Sequence, residues 1–330
     1  MLGSMNAANA TFQVACRYCG THASFEPDHA LGDLDAVRCP RCTSPLLRVR
    51  GEPLTDLSDD LLAHPWDREA LSRLQAIPLL DTIVGAALGS TYDQLHRFEL
   101  LASGLRVSER QLPHVHRAYL EAAGRLDVDP PPLFVVQSPH LNAWTKGARE
   151  PLVAISSAAV EILPERSLVG ILGHELTHVR LGHVLYRTLA QVLAQGALRA
   201  LNLVGLANLA LTPLKLLLFQ WSQMAELSAD RGELIATGSL ETHIRTAALV
   251  AGGSRAIADQ IDVGAFVEQA HEAEAMRRDE LFVNLMELIG GRDRTHPLNV
   301  WRVHHALNWA RTPGFFELLA GRPQLRLSGA

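Results

Sequence analysis

The sequence predicts an α+β fold, mainly α-helical around a small β-sheet, with a small four-cysteine unit near its N-terminal end. Three observations carry this. Apolar residues recur at helical spacing through most of the chain after Trp66, two short apolar runs in its middle read as strands, and all four cysteines fall between Cys16 and Cys42. The composition suits such a fold: 330 residues, 48% hydrophobic and 20% charged, can bury a large core in one large or two unequal domains. Disordered and collagen-like classes are excluded. A formal net charge of −5 argues against nucleic acid binding by general charge neutralisation, so no nucleic acid partner is expected.

The cysteines form Cys16-x-x-Cys19 and Cys39-x-x-Cys42. This spacing fits a zinc ribbon over residues 11–50, in which each pair sits on a tight turn and four thiolates converge on one structural Zn²⁺. Gly20 and Pro40 supply turn residues beside the pairs. Two redox dithiols or two disulfides are the alternative, which the double pairing disfavours. Residues 11–50 hold five Arg against four acidic residues, so the ribbon has no basic face and is expected to be structural or to dock a protein partner. Met1 to Ala15 lacks a basic start and a long apolar run, so no signal peptide is expected. With reduced thiolates, this points to the cytoplasm.

Residues 51–65, with Pro53 and several Asp, read as a linker into a second domain over 66–330. Helical spacing appears in Leu71, Leu74 and Ile77, and again in Leu95, Phe98, Leu101 and Leu105. The run Asp129-Pro130-Pro131-Pro132 stops that region. Leu133–Val136 and Leu152–Ile155 then read as two strands joined by a turn around Gly147, and a strand is also expected at Leu46–Val49. Helical patterning returns after Pro164, with breaks at Gly252-Gly253 and Gly290-Gly291. Residues 200–219 contain 14 apolar side chains with only Lys215 charged, so membrane contact through residues 187–219 is a candidate, peripheral or integral at the cytoplasmic membrane. Asn202, Asn208, Pro213 and Lys215 penalise insertion and favour a soluble or peripheral placement over a spanning one.

The segment Ser167–Gly182 has a helical pattern, with Leu168, Ile171, Leu172 and Val179 as its buried stripe, and contains His174-Glu175-Leu176-Thr177-His178. Residues four apart share a helix face, so His174 and His178 can grip one Zn²⁺ with Glu175 beside the open coordination position. A catalytic zinc needs a third protein ligand. The glycine and third histidine of one extended form of the motif would fall at Leu181 and Val184, which excludes that form. Glu226 fits instead, with Asp230 one turn on: one residue for the metal and one for a hydrogen bond to a ligand histidine. His183, five residues past His178, is expected to point away from the metal face and to be structural or exposed, and His114, His116, His304 and His305 are expected at the surface.

These residues resemble the gluzincin peptidases that include the HtpX-type heat-shock membrane protease, the CAAX prenyl protease and soluble bacterial relatives. Four blocks carry the resemblance over about residues 75–305: Leu141–Gly147 with the following strand and helix start, His174–His178, Glu226-x-x-Ala-Asp230, and Thr295-His296-Pro297 with Arg302. Leu298 stands where a second proline is common, and the ribbon lies outside the shared core. The resemblance implies a zincin-type helical core and a zinc endopeptidase that hydrolyses protein or peptide substrates. It implies that His174, His178 and Glu226 ligate zinc, Glu175 is the general base, and Asp230 orients a ligand. His296 would help stabilise the oxyanion, and Arg302 would tie the Asp230 region to the C-terminal part. Asn142, Ala143 and Val153 would belong to the strand segments that pair with an extended substrate. Together with the ribbon this gives one catalytic and one structural Zn²⁺. The alternative, a zinc-ribbon binding module on an inactive protease-like scaffold, is disfavoured because every ligand and the base are present.

Overall fold

A computed structural model describes residues 11–32, 34–48, 51–78, 80–194, 212–277, 299–320 and 325–327. The chain opens with the hairpin β1 (Phe12–Ala15) and β2 (His22–Phe25) and the short helix α1 (Pro27–Gly32). Both cysteine pairs sit on tight turns: the Cys16 carbonyl accepts the Gly20 amide at 2.8 Å and the Cys39 carbonyl accepts the Thr43 amide at 2.9 Å. Each turn ends in a left-handed residue, Gly20 at φ 71° and Thr43 at φ 60°. The expected strand at 46–49 is absent over Leu46–Arg48; Leu46 and Leu47 are buried in irregular backbone after a single bridge between Arg38 and Pro45.

β1 also pairs antiparallel with β7 (Leu325–Leu327), giving the sheet order β2-β1-β7. Phe12 and Phe25 pack on Phe316 with ring centroids 5.2 and 5.3 Å away. One hydrophobic cluster runs from Phe12 and Leu47 through Leu54 and Leu126 to Leu172 and Phe316. Residues 51–65, expected as a linker, bury Leu54, Leu57 and Leu62 in that cluster. The buried guanidinium of Arg125 ties the same stretch down, donating to the carbonyls of Arg48 at 3.2 Å, Glu52 at 3.0 Å and Ile235 at 2.9 Å.

Helices α2 (Asp59–Leu62), α3 (Pro65–Gln75) and α4 (Leu80–Ser103) follow, then β3 (Gly104–Arg106) and α5 (Pro113–Leu126). Pro65 and Pro113 bring the fixed φ of a first helical turn. The middle of the chain forms β4 (Leu133–Val136), β5 (Ala143–Lys146) and β6 (Leu152–Ser156), in a sheet ordered β3-β4-β6-β5. β4 and β6 are parallel and the other pairs antiparallel. The two expected strands are therefore not neighbours across a turn; a third strand, β5, lies between them in the chain and takes the sheet edge. Its turn into β6 is pinned by Asp93 of α4, whose carboxylate accepts the amides of Ala148, Arg149 and Glu150 at 2.7–3.2 Å.

The remaining helices are α6 (Ser157–Ile162), α7 (Glu165–Arg180), α8 (Val184–Ala194), α9 (Thr212–Thr237), α10 (Leu240–Gly252), α11 (Val263–Arg277), α12 (Asn299–Ala310) and α13 (Pro313–Ala320). The fold is thus mainly α-helical with small sheets. α7 lies at its centre, with every residue from Ser167 to His178 buried, a wider surface than the expected stripe; Val179 is only half-buried. It meets α9 at backbone-close range. A Cβ on Gly173 would stand 2.5 Å from that of Ala236, and one on Gly232 would overlap the Thr177 side chain. Only glycine permits this approach, which carries the imidazoles of α7 to the carboxylates of α9. Of residues 187–219, 195–211 lie outside the described residues; at the ends of that stretch Leu189, Leu193 and Leu218 are buried around Trp221. Among the described residues no helix is long and apolar enough to cross a membrane.

Candidate metal centre

His174 and His178 stand one turn apart on α7, facing α9. His174 Nε2 lies 3.3 Å from Oε2 of Glu226, and His178 Nε2 lies 3.5 Å from its Oε1. One donor atom from each of the three falls within 4.8 Å of the others, and all three side chains are buried. Two imidazoles and a carboxylate form a donor set suited to a hydrolytic zinc ion that keeps one position open. The Nη1 of Arg187 on α8 touches both His178 Nε2 and Glu226 Oε1, so a positive group is accommodated between these donors. The residues fit a divalent cation.

Asp230, one turn after Glu226, brings Oδ1 to 3.3 Å from Nδ1 of His174. Arg302 of α12 donates Nε–H to Asp230 Oδ2 at 2.7 Å and Nη1–H to Glu226 Oε2 at 2.9 Å, and its Nη2 also meets Asp230. Burial opposes charge on His174, but its contacts with Asp230 and Glu226 outweigh this and push it up to about 9. Burial and the neighbouring Arg187 instead drive His178 well below the ordinary histidine range. Burial also acts to raise Asp230, and Arg302 outweighs it and holds the carboxyl below its usual value.

Glu175 points from the same helix. Its Oε2 accepts the Thr145 hydroxyl at 2.8 Å, and its buried Oε1 has no hydrogen-bond partner among the described residues. Thr145 belongs to β5, which runs past the motif at the sheet edge. A cleft opens here, lined in part by Asn142, Ala143, Ile171, His174, Glu175 and His243. Val153 is elsewhere: it lies on β6, paired on one side with β4 and on the other with β5, so it has no free edge to offer. His296 lies outside the described residues.

His183 does not point away from the metal face as its spacing predicts, and several other groups escaped the sequence reasoning. His183 is 1% exposed and lies behind His178, with the two Nδ1 atoms 3.0 Å apart. α7 ends at Arg180 and Gly182 takes φ 71°, which turns the chain so that His183 comes back toward His178 rather than continuing round the helix. His183 Nε2 in turn lies 3.0 Å from Oδ2 of Asp67 on α3. Arg187, Thr145 and the buried pair His243–Glu233, 3.1 Å apart beside the cleft, were also missed. A histidine followed four residues later by arginine, at 183 and 187, was the only local signal among these.

The four cysteine sulfurs lie within 4.8 Å of one another, with Cys16–Cys42 at 3.6 Å and Cys19–Cys39 at 3.5 Å. Hydrogen bonding with the Thr21 side chain and backbone pulls Cys19 down to about 6, while at Cys39 the backbone hydrogen bond with Cys42 is outweighed by burial and the contact with Cys19, which push it up to about 11. The cluster is compatible with a small zinc ribbon.

Residues 109–310 match the model of peptidase family M48. The chain is 31% identical over 287 residues to the plastoglobule-localized metallopeptidase 48, chloroplastic, of Arabidopsis thaliana, across 86% of this chain and 80% of that protein. It is 32% identical over 155 residues to a protease HtpX homolog of Ralstonia nicotianae, across 40% of this chain and 54% of that one. For the protease HtpX homolog of Moorella thermoacetica the identity is 31% over 183 residues, 47% of this chain and 61% of that protein. The chain thus spans only part of the length of these HtpX homologues. No solved structure matches significantly. Fold, site and these relatives define a metallopeptidase, a hydrolase acting on protein or peptide substrates. The chain belongs to peptidase family M48, whose metallopeptidases use zinc.

Proposed function

We propose that the chain is a zinc-dependent endopeptidase in which His174, His178 and Glu226 hold the metal and Glu175 is the general base. The observation that carries this reading is the Glu175 carboxylate, buried beside the ligand histidines with Oε2 held by Thr145 and Oε1 free to take a proton. Zinc in this donor set supplies a Lewis acid and a nucleophile available near neutral pH. Glu175 Oε1 takes the proton of the attacking water and passes it to the leaving amine. Asp230 accepts from Nδ1 of His174 and so keeps its Nε2 aimed at Glu226, while Arg302 fixes both carboxylates. The edge strand β5, with Asn142 and Ala143 beside the cleft, suits an extended substrate added as a further strand. The oxyanion role of His296 rests on the family resemblance alone.

A second, structural zinc belongs to Cys16, Cys19, Cys39 and Cys42. Phe12, Phe25, Leu46 and Leu47 of that unit face the shared core, which favours a stabilising role over partner docking. A four-thiolate site suits a reducing compartment, so we infer a cytoplasmic enzyme, with carbonate extraction of membranes as the check on residues 187–219. The inactive-scaffold alternative is not favoured, since ligands and base converge. The reading is tested by incubating the protein and its Glu175→Gln variant with casein, with and without chelator. Cleavage should fall about 10²–10⁴-fold in the variant, the usual worth of a general base, and vanish on chelation. Equal cleavage by the two proteins sinks it.

A further inference from the structure

Behind His178, a line of buried polar groups runs away from the metal donors. His178 Nδ1 meets His183 Nδ1 at 3.0 Å, and His183 Nε2 lies at ion-pair distance, 3.0 Å, from Asp67 Oδ2. Asp67 is itself anchored by Trp221 Nε1–H at 3.0 Å and the Ser228 hydroxyl at 2.5 Å. Ser228 also accepts the His64 amide at 2.8 Å. All three members of the line are at most 1% exposed. With Trp221 and Ser228 both donating to it, Asp67 serves as an acceptor.

The protons then have one arrangement that serves a metal. An ionised Asp67 only accepts, so His183 carries its proton on Nε2 and presents a bare Nδ1. That nitrogen accepts Nδ1–H of His178, leaving the Nε2 lone pair of His178 facing Glu226. Arg187, which also lies beside Nδ1, offers donors alone, and Glu226 faces Nε2 instead, so among the described residues His183 is the acceptor available to Nδ1–H.

We propose that Asp67 and His183 are positioning residues that fix the tautomer and orientation of His178, so that α3, ahead of the family-matched segment, governs retention of the active-site metal. This rests on the zinc-peptidase reading for the role of His178 as a ligand. A ligand imidazole ordinarily donates its second N–H to a carboxylate, carbonyl or water; here a second imidazole stands between ligand and carboxylate.

The test is the zinc affinity of the full chain, measured by competition with a chromophoric chelator and counting only zinc absent from His178→Ala. His183→Leu removes the acceptor, whereas His183→Asn keeps an amide oxygen near the Nδ1 position. Asp67→Asn can turn a donor toward His183, move its proton to Nδ1 and set two N–H groups against each other. Affinity should fall about 10–100-fold in His183→Leu and in Asp67→Asn, and stay within a few-fold of wild type in His183→Asn. Asp67→Asn should add nothing in the His183→Leu background. Equal losses in the Leu and Asn variants, or additive losses in the double variant, overturn the proposal. If Asp67→Asn does not fold, the two His183 variants decide alone. Wild type binding no more zinc than His178→Ala overturns the zinc reading itself, a separate failure.

Discussion

The four-cysteine cluster and the His174–His178–Glu226 site each gather their donor atoms within 4.8 Å, yet they are assembled differently. The cysteines come from two short turns closed by local hydrogen bonds, and Cys19 and Cys42 remain half-exposed. The other three donors come from two long helices, are wholly buried, and are ringed by Asp230, Arg302, Arg187 and His183. A closed thiolate site needs only its own ligands in the right turns. On the zinc-peptidase reading, the second site must hold its geometry with one position open, and the surrounding charges and helix packing are placed to do so.

Glu226→Ala should break this contrast most severely. It removes a donor and also the carboxylate that Arg187 and Arg302 both contact. Loss of zinc at that site should exceed the ~10–100-fold cost of removing an outer contact. Urea unfolding should show a loss of about 3–5 kcal/mol, as expected when a buried ion pair loses one partner. An active, fully loaded variant would show that another residue is the third ligand.

A smaller effect separates the two regions by backbone alone. Gly232→Ala forces a Cβ into Thr177 across α7 and α9 and should cost about 1–3 kcal/mol or more, with zinc affinity falling as the ligands part. Gly20→Ala in the first cysteine turn meets nothing within 4 Å and pays only for its left-handed backbone, about 1 kcal/mol. Thermal unfolding with zinc titration distinguishes them; equal losses of active-site zinc would undo the contrast.

The same difference explains what could be read in the sequence. Cys16–Cys42 and His174–His178 are local patterns whose spacing alone implies convergence, and Glu226 with Asp230 repeats the helical spacing on a second segment. Asp67 and His183 carry no such mark. Asp67 reaches the site only because α3 packs on α9, and His183 was placed by extending the period of α7 past Gly182, where the helix has already ended. Periodicity does not mark β5, because Ala143–Lys146 is short; only the family resemblance places Asn142 and Ala143 in a strand segment, and nothing in the sequence singles out Thr145 and its grip on Glu175. The pairing of β1 with β7 joins opposite ends of the chain, which no window of sequence reveals.

Zinc content measured on wild type, Glu226→Ala and Cys16→Ser, before and after mild chelation and alongside casein cleavage, tests the account most directly. Two zinc ions per wild-type chain are expected. Mild chelation should remove one together with activity, since a site with an open position exchanges its metal more readily than a closed thiolate site. Glu226→Ala should keep only the chelation-resistant ion, and Cys16→Ser should lose that one first while still cleaving casein. A single zinc in folded wild type, or cleavage that persists once the exchangeable zinc is gone, would contradict it.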